Sequence, residues 1–467
     1  MTRVLVLGEG PVGPDPLHTR GESPRRAFRI ACALRAAGHE VQLFAVSRHA
    51  DGARAERRGI SVFELSEHTF HERPELVHRQ IAAFDPGAIV GVDLDACALA
   101  VNVAGARPLH CDLGGDPMSR AQTDLYWGAD VDRAMDAHRK LVPVLLRGDR
   151  FTVRTHAHRY VLIGQLGLAG RLVGPNDGFE FVYLAPAALD PEEHAALRDI
   201  ERKARKPGEP FVLVLDRALH GLSDPMVLYD ALEMVMVQHP EVRALCLGGG
   251  DDPASRAAWS RMARRAIESG LHDRFELVEG VGPEERLAYL ARAHVSLLID
   301  RFSYAGCIAD RPALVAQLAA GLPVVVSQLT ELGHELIMAG VARGTPCSDL
   351  TTLRFVIEQC MEDPDDLVAR GIQARRFVRE RVKPELCFAP IIELVSAPRR
   401  APGGERRIDI EWPPGPVTTL HRQALELRAR LTREGARQTL SAAGRFAMRR
   451  LTNGAARAIE ELAGTDA

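Results

Sequence analysis

Gly8, Gly10 and Gly13 have the spacing of a loop that binds phosphate through its backbone amides. They follow an apolar run at residues 4–7, in the G-x-G-x-x-G order that holds a dinucleotide pyrophosphate in many nucleotide-binding domains. Pro11 and the long gap before the next helical stretch argue against the tight turn that this chemistry needs. No acidic residue clearly ends the second strand to bind a ribose. The glycine pattern alone therefore does not predict a dinucleotide site.

His156 and His158 are the residues whose spacing could suggest a metal pair. Alternation along a strand would also produce this spacing, and no third ligand is evident nearby. The eight cysteines are scattered, without a C-x-x-C pair or an adjacent histidine cluster. We expect buried free thiols in a reducing compartment, no metal site and no cofactor.

The elements that would position any site alternate between strand and helix. Apolar runs at residues 4–7, 41–46, 88–92 and 151–153 are separated by helical stretches. A second alternating block begins at residues 211–215, with further strands predicted at 244–247, 275–278 and 295–299. This order predicts an α/β fold with two Rossmann-like, doubly wound domains that face a cleft.

The segment at residues 313–327 joins a predicted helix to a predicted strand. Leu314, Leu318 and Ala319 recur at helical spacing, and Gly321 suits a left-handed helix terminus. Residues 324–326 are all valine, as in a strand buried on both faces.

Composition shifts define the domain boundaries. We predict a first domain at residues 1–189, a connector at 190–210, a second domain at 211–395, a linker rich in proline, glycine and arginine at 396–416, and a basic helical tail at 417–467. Ligands of such folds bind at the carboxyl ends of parallel strands. The loops after residues 7, 215, 247, 299 and 326 are therefore expected to face the cleft.

Composition excludes several classes of protein. With 467 residues, 46% of them apolar, the chain can build two ordinary cores. Its 59 basic and 62 acidic residues leave a formal net charge of −3, which gives no overall attraction to nucleic acid. No apolar run approaches the length of a membrane span. The apolar run at residues 4–7 is too short for the hydrophobic region of a signal peptide and instead predicts a first buried strand. We expect a cytoplasmic protein.

The tail carries nine arginines but only two glutamates between residues 417 and 457. It could form an interfacial helix that contacts anionic lipid. It could also be a solvated helix packed on the domains, which is the more common outcome for such tails.

Several segments, in this order, resemble the glycosyltransferases of the GT-B fold, closest to family 4. They are the helix exit Gly38-His-Glu-Val41, the strand at 211–215 with Arg217, the helix Asp224-Pro-Met-Val-Leu-Tyr-Asp-Ala-Leu232, Glu285-Arg-Leu-Ala-Tyr-Leu290 and Gly321-Leu-Pro-Val-Val325. The resemblance covers residues 1 to about 395. It implies metal-independent transfer of a sugar from a nucleotide-sugar donor to a hydroxyl of a glycan, lipid-linked or small-molecule acceptor.

The resemblance also implies a donor site. Arg217 matches the arginine that binds the diphosphate in the family, but the lysine expected soon after it is absent. We expect Arg301 and Arg311 to compensate, although both could instead be solvated or paired with neighbouring aspartates. The loop of Gly248, Gly249 and Gly250 would contact the base or the phosphates.

Two family glutamates are missing from this chain. Ile308 and Ala316 stand where the family places acids for the donor sugar and the ribose. Asp310 is the candidate to take over this task, since a carboxylate accepts strong hydrogen bonds from hydroxyls.

On the acceptor side, the resemblance assigns His110 and Asp112 to the transferred sugar. A structural role for His110 at the end of a strand is equally compatible with the sequence. The missing acids leave a rival function open, which is an inactive GT-B scaffold that binds or activates a partner glycosyltransferase. A nucleotide-sugar epimerase of the same fold is a third reading, disfavoured because no carboxylate-rich cleft is evident.

Overall fold

A computed structural model describes residues 1–16, 18–47, 53–202, 205–206, 208–217, 219–248 and 253–403. The tail predicted at 417–467 lies outside the described residues, as do Gly249, Gly250 and most of the predicted linker.

The first lobe is built on an eight-stranded sheet. Its strands are β1 (Arg3–Glu9), β2 (Glu40–Ser47), β3 (Arg54–Arg57), β4 (Ile60–Ser66), β5 (Ala88–Val92), β6 (Leu109–Asp112), β7 (Arg150–Val153) and β8 (Val182–Leu184). They lie in the order β3-β4-β2-β1-β5-β6-β7-β8. All neighbours are parallel except β3, which pairs antiparallel with β4 at the edge of the sheet.

The second lobe contains a six-stranded parallel sheet. Its strands are β9 (Phe211–Asp216), β10 (Val242–Gly248), β11 (Phe275–Glu279), β12 (Val295–Leu298), β13 (Val324–Ser327) and β14 (Ala342–Thr345). They lie in the order β11-β10-β9-β12-β13-β14. The reversal beside β9 is a topological switch point, where α/β folds open a crevice for ligands.

Helices connect the strands in both lobes. Those before the second sheet are α1 (Glu22–Ala36), α2 (Glu67–Glu72), α3 (Pro74–Phe84), α4 (Leu94–Ala104), α5 (Pro117–Tyr126), α6 (Val131–Arg147), α7 (His156–Leu168) and α8 (Pro191–Arg198). The later ones are α9 (Pro225–Gln238), α10 (Pro253–Glu268), α11 (Pro283–Arg292), α12 (Tyr304–Ile308), α13 (Pro312–Ala319), α14 (Glu331–Met338), α15 (Leu350–Glu362), α16 (Pro364–Val378), α17 (Pro384–Cys387) and α18 (Ala389–Ser396).

The predicted fold class is confirmed, because the chain forms two mostly parallel sheets flanked by helices. The core explains why apolar runs mark the strands: residues 4–7 of β1 and 324–326 of β13 are almost completely buried. His156 and His158 do not lie on a strand as alternation suggested, since they begin α7 after its N-cap Thr155. No helix among the described residues is both long and apolar enough to cross a membrane.

The chain crosses between the lobes twice. Residues 185–210, which contain α8, lead from the first sheet to the second. At the other end, α17 and α18 return to the first lobe, where Phe388, Ile391 and Val395 join the apolar cluster around β1 and α1. The end of the range predicted as the second domain thus packs on the first sheet. The backbone N–H of Leu189 donates to Val382 O at 2.9 Å, so the two crossings contact each other.

Candidate functional site

A cavity of about 560 Å3 lies at the carboxyl ends of β9, β10 and β11. The first lobe contributes the loop before α1 and the start of that helix, and α8 supplies Glu193. We call it the polar cavity. Its charged or polar lining residues include His18, Thr19, Arg20, Arg25, Glu193, Asp216, Arg217, His220 and Arg286. The sequence placed a ligand site at this edge, since parallel sheets bind ligands where their strands end.

Arg217 directly follows β9 and lines the polar cavity. Its backbone has a positive φ of 52° and donates its N–H to Leu247 O at 2.8 Å. The side chain is exposed, and no described carboxylate lies within ion-pair distance of it. Arg217 is therefore positioned to meet an anion that enters the cavity.

Arg286 reaches the cavity from the first turn of α11. Its Nε and Nη2 donate to Asp216 Oδ2 at 2.9 and 2.5 Å. Burial alone would lower the pKa of Arg286, but the Asp216 carboxylate raises it above its usual value. The polar cavity therefore contains a permanently charged guanidinium group that already forms an ion pair with Asp216.

Three arginine side chains lie within 4.0 Å of the Glu193 carboxylate. Glu193 is 4% exposed, and its Oε2 accepts from Arg29 Nη2 at 2.5 Å. Arg25 and Arg286 lie 3.8 and 4.0 Å from its Oε1. Burial raises the pKa of this carboxyl, but the three arginines lower it overall, so Glu193 is ionised. Guanidinium groups of both lobes thus converge on one carboxylate.

Two of the predicted diphosphate ligands do not reach the polar cavity. Arg311 is 5% exposed, and its Nε and Nη2 donate to Asp300 Oδ2 at 3.1 and 2.6 Å. A buried carboxylate needs such a counter-ion, which is the alternative that the sequence had left open for this residue. Arg301 instead lies 3.9 Å above the ring centroid of Tyr126, in a cation–π contact between the lobes.

The other donor-side candidates do not all line the polar cavity. Gly248 ends β10 and lines the polar cavity, whereas Gly249 and Gly250 lie outside the described residues. Asp310 lines a different cavity between the lobes, described below. Its Oδ1 accepts from the N–H of Arg311 at 2.7 Å, and burial raises its pKa above the ordinary value.

The structure does not bring His110 and Asp112 to the polar cavity either. Asp112 is completely buried in β6, where Arg26 Nε and Nη2 donate to it at 2.6 and 2.7 Å and Thr152 Oγ1 donates at 2.6 Å. His110 is 5% exposed, and its Nε2 lies 2.9 Å from Thr152 Oγ1. Burial lowers the pKa of His110 to about 4, so the ring is neutral. Both residues belong to a buried network within the first lobe.

Sequence reasoning missed Arg25, Arg29 and Glu193. The available signal was the presence of arginines in the first two turns of an otherwise apolar helix, α1, where all of them are buried. Long charged side chains at buried helix positions require partners, and those partners mark a functional or structural network.

A further cavity of about 550 Å3 lies at the opposite, amino-terminal edge of the second sheet. Phe211, His294, Met361 and Arg375 are among its lining residues. Since α/β folds bind ligands at the carboxyl edge, we do not assign the site there. Within the described ranges, no three histidine, cysteine, aspartate or glutamate side chains are grouped so that they could hold a metal ion.

The fold is shared with several solved structures. Sucrose-phosphate synthase from Thermosynechococcus elongatus superposes with a TM-score of 0.63 at 16% identity, over 85% of this chain and 98% of that one. The α,α-trehalose 6-phosphate synthase of Burkholderia multivorans gives 0.62 at 15%, over 85% and 99%. HepE from Anabaena, in complex with UDP, gives 0.57 at 15%, over 85% and 100%.

The chain has the GT-B fold. At these identities the likeness establishes the GT-B architecture alone. No protein-family model matches the sequence, and no curated protein is significantly similar to it. Ile308 is the last residue of α12, and Ala316 is buried inside α13. Both side chains are aliphatic, so neither of these positions supplies a carboxylate.

Proposed function

We propose that this protein is a glycosyltransferase that binds a nucleotide-sugar donor in the polar cavity and transfers its sugar to a hydroxyl group. The observation that carries the proposal is the position of Arg217, an exposed guanidinium that follows β9 at the switch point of the second sheet and lines the same cavity as the half-buried Arg286. The leaving nucleoside diphosphate gains negative charge in the reaction, and fixed guanidinium groups stabilise that charge. The similar structures include HepE in complex with UDP-glucose and a trehalose-6-phosphate protein of E. coli bound with UDP-2-fluoro glucose.

The donor set differs from the one expected from the sequence. Arg217, Arg286 and Gly248 form it, with Arg25 supplied by the first lobe. Arg301, Arg311, His110 and Asp112 are left out, because each is engaged elsewhere. We propose no metal and no cofactor in this reaction, since the guanidinium groups can take the role of the cation.

An inactive scaffold remains the second candidate, and one observation favours it. Glu193 and Asp216 already neutralise Arg25, Arg29 and Arg286, so a diphosphate must compete with the chain's own carboxylates. Such a scaffold would bind a partner glycosyltransferase without binding a donor.

Nucleotide binding separates the two candidates. The thermal unfolding of the protein would be followed while UDP, GDP and dTDP are titrated separately. A nucleotide at 100 times its dissociation constant stabilises the folded state by about 2.7 kcal/mol, and we expect this for one of the three. If none of them raises the unfolding temperature, the scaffold candidate replaces the enzyme.

Matched variants localise the site. Arg217→Ala should weaken binding of the responding nucleotide at least tenfold, because a charge-assisted hydrogen bond contributes about 1.5–3 kcal/mol. Arg292→Ala is the control, since Arg292 lies in the same lobe, is 54% exposed, contacts Glu276 and the ring of Tyr289, and does not line the polar cavity. Equal affinities for the two variants would exclude Arg217 from the site. Release of the nucleoside diphosphate from its sugar conjugate then tests turnover.

A further inference from the structure

A second cavity between the lobes, of about 530 Å3, has a different chemical character. We call it the apolar cavity. Its walls come from the end of β8, from α13 and α14, and from the end of α16. The apolar side chains that form most of its surface include Leu184, Pro186, Val315, Leu318, Leu332 and Phe377. Its volume lies within the range of sites that enclose small organic molecules, about 300–1,000 Å3.

Charged or titratable residues also line the apolar cavity. Those with solvent-accessible side chains are His156, Glu331, Glu335, Glu380 and Arg381. Arg154 and Asp310 both line this cavity, with side chains that are 7% and 9% exposed. Arg154 Nη1 lies 3.7 Å from Asp310 Oδ2, which is too far for a hydrogen bond. Arg154 Nε and Asp310 Oδ2 are both buried without a hydrogen-bond partner among the described residues. A spare donor and a spare acceptor therefore lie close together among the residues that line this cavity.

A hydroxyl group satisfies this pair better than other ligand groups. It donates one hydrogen bond and accepts others, so it can bond Asp310 and Arg154 at once. A carboxylate or phosphate would meet the Asp310 carboxylate with like charge, and an ammonium group could not accept from Arg154.

Charged residues connect the apolar cavity to the polar cavity. Arg154 Nη1 also lies 3.6 Å from Glu22 Oε1, and Glu22 adjoins Gly21, which lines the polar cavity. The Glu22 carboxylate also feels the charges of Arg25 and Arg217, both of which line that cavity. A sugar that extends from a donor in the polar cavity past Glu22 would therefore approach Arg154 and Asp310.

We propose that the apolar cavity is the acceptor site, and that the acceptor is an alcohol or phenol with a compact apolar body whose hydroxyl lies between Asp310 and Arg154. This inference rests on the proposed function, and it selects the small-molecule class of acceptor over a glycan chain. A glycan would expose polar groups to the apolar walls, where each unpaired group is costly.

The first test compares two probes that share an apolar body. 2-Naphthol carries a hydroxyl group, whereas 2-methoxynaphthalene carries the ether and cannot donate. Calorimetric titration of the intact chain should give at least tenfold tighter binding for 2-naphthol, because a hydrogen bond to a charged acceptor typically contributes that factor or more. Equal affinities, or binding of neither probe, would overturn the proposal.

Variants then locate the probe. Leu332→Trp fills the cavity from α14 and should reduce 2-naphthol binding more than tenfold. Met338→Trp is the control, since it lies on the same helix but is 86% exposed and outside the cavity. Asp310→Asn retains the shape of the site and should bring the affinities of the two probes close together. If Leu332→Trp and Met338→Trp bind 2-naphthol equally, the site lies elsewhere.

The nucleotide titration keeps this inference separate from the proposed function. Binding of UDP, GDP or dTDP with no binding of 2-naphthol overturns the acceptor site and leaves the donor site standing. The opposite outcome is that the protein binds 2-naphthol, Leu332→Trp abolishes this binding, and no nucleotide binds. That outcome supports an alcohol-binding site in the apolar cavity but overturns its role as an acceptor site.

Discussion

Arg29 and Glu193 join two helices that are distant in the chain, with Arg29 Nη2 at 2.5 Å from Glu193 Oε2 and both side chains about 5% exposed. The pair ties α1 of the first lobe to α8 of the interlobe connection. Because Arg25 and Arg286 also face the same carboxylate, Glu193 occupies the position of an anion among guanidinium groups. Its negative charge lies among the guanidinium groups that a diphosphate in the polar cavity would need, so we expect Glu193 to limit how strongly the cavity attracts one.

Replacing Glu193 with glutamine tests this competition. The variant leaves Arg25, Arg29 and Arg286 without their shared counter-ion, so the folded state should lose about 3–5 kcal/mol of stability. The same uncompensated charge should increase the affinity for the nucleoside diphosphate that binds the wild type. Urea denaturation gives the first quantity, and calorimetric titration of the nucleotide gives the second.

Glu192→Gln is the control for this variant. Glu192 precedes Glu193 in α8, but it is 67% exposed and pairs with Arg58 at the surface. Its loss should change stability by less than about 1 kcal/mol and leave nucleotide affinity unchanged. If Glu193→Gln behaves like Glu192→Gln in both measurements, the carboxylate does not compete with the ligand.

Arg26 and Asp112 form a second buried pair, and we predict that its role is structural. Arg26 also donates to Ala185 O and Pro186 O, so it holds β6 and the chain after β8 to α1. Arg26→Met should cost about 3–5 kcal/mol, because it leaves the Asp112 carboxylate buried and unpaired. The double variant Arg26→Met with Asp112→Leu should lose less unfolding free energy than the two single variants lose together. Strict additivity in denaturant unfolding would show that the groups do not interact.

The sequence predicted the architecture because the strands of parallel sheets are continuous apolar runs. Residues 4–7, 88–92, 211–215 and 324–326 were each predicted from a continuous apolar run, and each lies in a strand that is almost entirely buried. The antiparallel edge pair of β3 and β4 was missed. Edge strands alternate polar and apolar residues over short lengths, and this signal is weak in Arg54–Arg57.

The site was predicted less completely, because its partners are remote in sequence. Arg217 was assigned through the family resemblance and lines the polar cavity, whereas Arg311 was assigned to a ligand and instead pairs with Asp300, eleven positions earlier. Arg29 and Glu193 are 164 positions apart. A single sequence shows which residues can ionise, but only the folded structure, which brings Arg29 of α1 to Glu193 of α8, shows which charges neutralise each other.

From the burial of His110 we predict that the stability of the protein depends on pH. Burial lowers the pKa of the His110 imidazole from 6.5 to about 4, so the folded state favours the neutral ring. Above pH 6.5 the ring is neutral in both the folded and the unfolded state, so His110 causes no pH dependence there. As the pH falls from 6.5 to 4, the unfolded chain binds a proton that the folded state excludes, and the free energy of unfolding decreases by roughly 3 kcal/mol in total. His110→Gln keeps a hydrogen-bonding group for Thr152 but does not titrate.

We therefore expect the wild type to lose more stability than His110→Gln between pH 7 and pH 4.5. Urea denaturation at several pH values measures both curves. The difference isolates His110 from His158, whose pKa burial also lowers to about 4 and which is present in both proteins. Parallel curves would show that His110 is accessible to protons in the folded state.

Gly321 provides the last prediction, on the turn that joins α13 to β13. Its φ is 70°, a left-handed conformation that costs a residue with a Cβ about 1–2 kcal/mol. A Cβ there would also lie 2.4 Å from Arg375 Nε, whereas Gly340 has the same φ with no atom within 4 Å of such a Cβ. Gly340→Ala should thus show the backbone cost alone, and Gly321→Ala a larger loss in urea denaturation, because Arg375 must move away from Ala320 O, to which it donates at 3.1 Å. Equal losses would mean that the Arg375 side chain adapts freely and does not fix this turn.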